Sequence, residues 1–116
     1  MDNPFPYPLC SQTVTVYHKT GSTVERRVAP GCYYHYEDVC TEDAVGRRMR
    51  RKFLLIQPGE KRIYPGDRIF DGVGPEVTAA DWAGFLPIGV PGLSEAAYAT
   101  PWHWEGRLCH TEAGRK

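Results

Sequence analysis

The stretch Pro65-Gly66-Asp67-Arg68-Ile69-Phe70-Asp71-Gly72-Val73-Gly74-Pro75 reads as a strand delivered by one tight turn and closed by another. Pro65 presets φ, Gly66 supplies a positive φ, and Asp67 can bond its own backbone. A short run then leads to Gly72. Punctuation this close builds β structure, and the flanking segments extend the reading.

Upstream, Gln12-Thr13-Val14-Thr15-Val16-Tyr17-His18 sets Val14 and Val16 on one face and Thr13, Thr15 and Tyr17 on the other, the period of a half-buried strand. Gly21-Ser22 turns the chain into Thr23-Val24-Glu25-Arg26-Arg27-Val28 and makes a first hairpin. Pro30-Gly31 punctuates again, and Cys32-Tyr33-Tyr34-His35-Tyr36 forms a third, aromatic strand. Phe53-Leu54-Leu55-Ile56 is continuous and apolar, the pattern of a strand buried on both faces. Thr78-Ala79-Ala80-Asp81 fits a capping box ahead of Trp82, Ala83 and Phe85, which predicts one short helix over 79–85, closed by Pro87. Strands at 99–105 and 107–111, split by Gly106, complete the chain. The expected fold is mainly β: one domain over 1–116, a small antiparallel β-barrel or sandwich, with Val14, Val16, Leu54 and Ile56 in its core. A Pro-rich arm occupies 1–11.

Composition narrows the function classes. With 14 basic and 14 acidic side chains in 116 residues the formal charge is zero, which excludes a molecule basic all over and built to coat nucleic acid or an anionic membrane. The N-terminus has Pro4, Pro6 and Pro8 where a signal peptide carries a continuous apolar run. No stretch approaches the roughly 20 apolar residues of a membrane-spanning helix. The expectation is synthesis in the cytoplasm and no membrane partner. In that reducing compartment Cys10, Cys32, Cys40 and Cys109 are thiols or metal ligands before they are disulfides.

The candidate chemistry is sparse. Cys32, His35, Cys40, Cys109 and His110 offer zinc ligand types. There is no Cys-x2-Cys pair, and Cys109 and His110, adjacent on a strand, point to opposite faces, so buried thiols and surface imidazoles are the stronger reading. His103-Trp104-Glu105 and His110-Thr111-Glu112 repeat His-x-Glu, which a strand places on one face; a small hydrolase would need His103 and Glu105 to converge in a pocket. No nucleophile-elbow, phosphate-loop or dinucleotide fingerprint occurs, so the chain is read as non-enzymatic, without a cofactor. Between 37 and 52 periodicity disappears: an acidic half of Glu37, Asp38, Glu42 and Asp43 precedes a basic half of Arg47, Arg48, Arg50, Arg51 and Lys52. This predicts a long exposed charged loop, whose bases could neutralise phosphates or simply balance the acids before them. Trp82, Phe85, Trp102 and Trp104 are numerous for so small a domain, which marks them for a subunit interface.

Three segments carry a family resemblance: Thr13-Val14-Thr15-Val16-Tyr17-His18-Lys19, Pro65-Gly66-Asp67-Arg68-Ile69, and the ending Trp104-Glu105-Gly106-Arg107-Leu108-Cys109-His110-Thr111-Glu112-Ala113-Gly114-Arg115-Lys116. Together they resemble small minor structural proteins of tailed phages and prophages of Gram-positive bacteria, over 13–116. The resemblance implies a head-closure or neck component: a virion protein that forms a ring between the portal or adaptor and the tail. In it the 37–52 loop, with Arg47, Arg48, Arg50, Arg51 and Lys52, faces channel DNA. It leaves the region 78–97 unaccounted for and keeps a tail-completion role open, while the residues alone keep a zinc module of Cys32, Cys40, Cys109 and His110 open.

Overall fold

In the computed structural model residues 9–43, 46–87 and 89–115 are described, and for residues 39, 41–43 and 47–50 the description is of the backbone alone. Most of the Pro-rich arm lies outside them. The strands are β1 (Gln12–Thr20), β2 (Thr23–Asp43), β3 (Gly46–Pro58), β4 (Arg68–Asp71), β5 (Leu93–Glu95), β6 (Tyr98–Trp104) and β7 (Arg107–Arg115). All pair antiparallel in one curled sheet of order β5-β4-β1-β2-β3-β7-β6, the mainly β class expected.

The two terminal strands of that order are halves of one extended segment, joined at Ala96-Ala97. Ala96 N–H donates to the Asp67 carbonyl and its own carbonyl accepts from Gly66 N–H, both at 2.8 Å, while Ala97 N–H donates to Gly114 at 2.8 Å. The segment therefore bonds β4 with one half and β7 with the other, which curls the sheet round on itself and hides edges that would otherwise invite aggregation.

A second corner lies inside β2. Residues 23–32 pair with β1 and residues 33–43 with β3. Gly31, at φ 71°, takes a conformation that side chains disfavour, and the register slips there. The Gln12 amide fills the gap as a substitute peptide: its Nε2 donates to the Tyr34 carbonyl at 2.9 Å and its Oε1 accepts from Tyr34 N–H at 2.8 Å. So Pro30-Gly31, expected to end a strand, bends one instead.

Two cores sit on opposite faces of the β1 and β4 region. Inside the curl lie Val14, Val16, Ala29, Cys32, Tyr34, Phe53, Leu55, Ile63, Ile69, Ala96 and Ala113. On the other face Tyr17, Val77, Phe85 and Leu93 pack with Phe70, Trp82 and Val90. The residues after β4 are therefore a cover for the outer face of β1, which gives the region 78–97 its place. Two expectations are corrected here. Phe53 and Leu55 enter the core while Leu54 and Ile56 are half-buried on the outer face, because strand alternation outweighs continuous hydrophobicity where only one face is enclosed. The predicted helix over 79–85 is a single 3-10 turn at Trp82–Gly84. The Thr78 and Asp81 capping bonds do form, but Arg68 Nη1 donates to the Trp82 and Phe85 carbonyls, and the turn is held by that guanidinium rather than continued as a helix.

Gly114 sits where β3, β6 and β7 are tightest: a Cβ there would lie 2.6 Å from the Phe53 carbonyl oxygen and 2.8 Å from Tyr98 Oη. The backbone carbonyl cannot step aside, so Gly114→Ala is expected to destabilise the fold by about 1–3 kcal/mol, the cost of overpacking. Urea unfolding measures it, and a midpoint equal to the parent's would show that the strands yield.

Candidate functional site

The stretch 37–52 is not an irregular loop. It continues β2 and begins β3, with cross-strand partners from Glu37↔Lys52 to Asp43↔Gly46. β7 pairs with β3 only from Phe53 onward, so in the ladder this part of β3 has β2 as its one strand partner among the described residues. The molecule is correspondingly long, 52 × 32 × 22 Å.

Charge reads differently once the register is known. Glu42 is opposite Arg47, Asp38 opposite Arg51 and Glu37 opposite Lys52, so the acidic half folds back onto the basic half pair by pair. Arg48 is opposite Thr41 and Arg50 opposite Val39, positions with no acidic partner in the ladder. The side chains of Arg47, Arg48 and Arg50 lie outside the described ones; their register positions place Arg48 and Arg50, with Lys52, on one face of the ribbon.

Arg51 belongs to the scaffold. Its Nε and Nη2 form a two-pronged pair with Asp38 at 2.8 and 3.1 Å, Nη1 donates to the Leu93 carbonyl of β5 at 3.0 Å, and the guanidinium lies 4.6 Å over the Tyr36 ring. With 15% of its side chain exposed it clasps the arm's root to the far end of the sheet, so it is withdrawn from the predicted DNA-facing set. Lys52, paired with Glu37 at 3.4 Å, remains 42% exposed.

The four aromatics expected at an interface separate. Phe85 is buried edge-on against Tyr17, and Trp82 packs on the second core beneath Arg68, 3.8 Å from its ring. Both are internal, held by the region that covers β1. Trp102 (53% exposed) and Trp104 (46%) stay on β6, Trp102 stacked on His110. The register sets Trp102 opposite His110, Ile56 opposite Glu112 and Leu54 opposite His35, so Trp102, Ile56 and Leu54 share the outer face of the sheet.

The zinc set is not assembled. Cys32 is buried in the inner core, where burial pushes its thiol up to about 11 and opposes the thiolate a metal needs. Cys40 stands on the exposed arm, and Cys109 is buried while His110 faces outward. Among the described residues no three His, Cys, Asp or Glu side chains are grouped to hold a metal. Glu105, at φ 50° in the turn after β6, is outside the strand alternation that would align it with exposed His103.

Sequence reasoning missed one cluster, a cleft of about 420 Å3 lined by His18, Glu25, Arg27, Arg62, Tyr64 and Asp67 among others. Its members come from β1, β2 and the turn before β4, and no local spacing joins them. Compared with known proteins, the chain matches no family model, no curated protein and no solved structure.

The Arg51 bond holds the Asp38 carboxyl below its ordinary range. A folded-state pKa below the unfolded one means that the pair's stabilisation is present above the unfolded value and is lost as pH falls through the folded one. Asp38→Asn is therefore expected to flatten that part of the acid limb when urea midpoints are compared between pH 7 and pH 3. Arg51→Gln, which also loses the Leu93 bond and the Tyr36 contact, is expected to cost about 1–2 kcal/mol at neutral pH.

Proposed function

We propose that this chain is a non-enzymatic structural protein of a tailed-phage or prophage virion, a head-closure or neck component that forms a homo-oligomeric ring between the portal or adaptor and the tail. The observation that carries the reading is the two-stranded arm of residues 37–52, whose strands pair with each other beyond the point where β7 accompanies β3. A subunit that must reach a channel while its body packs in a ring needs such a projection. In the assembly the face of Arg48, Arg50 and Lys52 is presented to channel DNA, and Arg47 contributes beside Glu42. Phosphates bind such a face without reading sequence, which suits a conduit for any genome.

The ring contact falls on the outer face with Leu54, Ile56 and Trp102, and on exposed Trp104, which lies past the β6 bulge opposite Arg107. Exposed tryptophans beside half-buried aliphatics are the composition of an interface centre. A heterologous contact of this kind closes into a ring only when the rotation permits, so the isolated subunit stays monomeric until it meets a preformed partner ring.

The test is maturation of particles in which Arg47, Arg48 and Arg50 are changed to serine while Arg51 is retained for stability. The expected result is folded protein and a loss of DNA-filled, infectious particles of tenfold or more; normal yield sinks the DNA-facing assignment. Independently, Trp102→Ser with Trp104→Ser is expected to leave the monomer within about 0.5 kcal/mol of its parent stability, as for other exposed positions, and to abolish incorporation into particles. Incorporation at parental level would remove this face from the interface.

A further inference from the structure

The cleft missed by sequence reasoning lies at one open end of the curl, on the face that carries Val16 and His18. Its size is that of a small-ligand site, and barrel mouths are common places for one. Its wall is built from buried polar groups. Asp67 is 3% exposed; its Oδ1 bonds His18 Nδ1 at 2.5 Å and its Oδ2 accepts from Tyr64 N–H at 2.9 Å. With Nδ1 held by that carboxylate, the imidazole's orientation is fixed and Nε2 is left as the ring's other polar atom, on a side chain that is 34% exposed.

The cations around it are unusual for this protein. The described side chains of Arg26, Arg51, Lys52, Arg68, Arg107 and Arg115 each reach a carboxylate. Arg27, Lys61 and Arg62 reach none among the described residues; outside the cleft the same holds of exposed Lys19, which bonds the Gly21 carbonyl. Arg27 is half-buried and bonded to neutral groups instead, the Gln57 Oε1 and the Arg62 carbonyl, and burial pulls its pKa down. Arg62 lies 5.0 Å over the Tyr64 ring. Lys61 is exposed at the mouth. Arg26 also lines the cleft, but its guanidinium is turned away to the Gly74 carbonyl and Glu76. Of the two carboxylates, Asp67 is committed to His18 and only exposed Glu25, opposite His18 in the ladder, offsets the positive charge.

A concave site holding three cations against one uncommitted carboxylate, with one oriented imidazole, is complementary to a compact, multiply charged oxyanion. We propose that this cleft binds a phosphoryl group, with Arg27 and Arg62 as the guanidinium forks, Lys61 at the mouth and His18 as a directional partner, positioned by Asp67. Guanidinium groups suit phosphate because two parallel N–H donors match two of its oxygens. The phosphoryl group comes from a soluble phosphate or from a nucleic-acid backbone, which share the chemistry. The proposal is independent of the virion reading.

Resonances of the His18 imidazole, followed in the full chain, test it. Inorganic phosphate, sodium acetate at matched ionic strength and a short DNA duplex are the probes. Phosphate is expected to shift the His18 signals saturably while acetate does not, and Lys61→Gln with Arg62→Gln is expected to weaken binding at least tenfold. Those two side chains lie on the exposed surface, so an unchanged thermal midpoint certifies the fold; Arg27→Gln, which also breaks the Gln57 bond, serves as the second variant. A response to the duplex alone assigns the phosphoryl group to a nucleic-acid backbone. No response to phosphate or duplex, an equal response to acetate, or binding unaltered in the double variant overturns the proposal.

Discussion

One buried carboxylate organises the way this sheet turns back on itself. Asp67 closes a turn in which its own N–H donates to the Tyr64 carbonyl at 3.0 Å while its side chain accepts from Tyr64 N–H at 2.9 Å. Pro65 and Gly66, at φ 91°, occupy the central positions, the arrangement of a type II turn. From the same residue the carbonyl accepts Ala96 N–H, and Gly66 N–H reaches back to Ala96. His18 of β1 takes the remaining carboxylate oxygen. The side chain of Asp67 thus holds β1 and its own turn, and its backbone carbonyl holds the β5–β6 corner. Burial pushes its carboxyl up, and the His18 and Tyr64 bonds pull it back, which is the balance expected when a buried ionisable group has its own donors.

A curl pinned there has consequences at a distance. With β5 and β6 joined at the Ala96-Ala97 corner, β4 and β7 acquire partners on the sides that would otherwise be open. The parts of β2 and β3 beyond the stretch that β7 accompanies pair with each other as a ribbon. Arg68 performs the matching task on the outer face: 7% exposed, it bonds Glu95 at 3.1 Å, both carbonyls of the 82–85 turn, and stacks on Trp82. An arginine can serve so many partners because its donors form a planar fork; a lysine could not. The cover it anchors is what makes β1 buried on both faces.

Much of the fold was legible because local rules and global architecture agree in the first half of the chain. The alternation of Val14 and Val16 survives as core, and the 65–67 turn forms as its residues require. Legibility failed where the controlling partner is remote in sequence. Nothing local to Pro30-Gly31 reveals that Gln12 will carry β2 across the bend. The charged run 37–52 has no strand periodicity, yet its two halves pair with each other in the ladder. Phe85 and Trp82 read as surplus aromatics since the surface that absorbs them is made by Tyr17 and Arg68, far upstream. The phosphoryl cleft was invisible for the same reason: His18, Arg27, Arg62 and Asp67 are ordinary polar residues until the turn brings them to one end of the curl.

A formal charge of zero also concealed how charge is arranged. Net charge governs long-range steering, but ions at contact respond to neighbours within about a Debye length, roughly 8–10 Å at physiological salt. The register opposes acid to base at three positions along the arm, so most of its field cancels at that range. What survives is local: the ladder positions of Arg48 and Arg50, which face no acid, and the cleft where Arg27, Lys61 and Arg62 make no ion pair among the described residues. These two surfaces differ in kind. The arm is an extended two-stranded ribbon. The cleft is concave, with a partly buried arginine and a fixed imidazole, suited to holding one oxyanion in one orientation. Neutrality is a matter of equal counts, 14 basic and 14 acidic side chains, and the pairing of most described cations is what sets the cleft apart from the rest of the molecule.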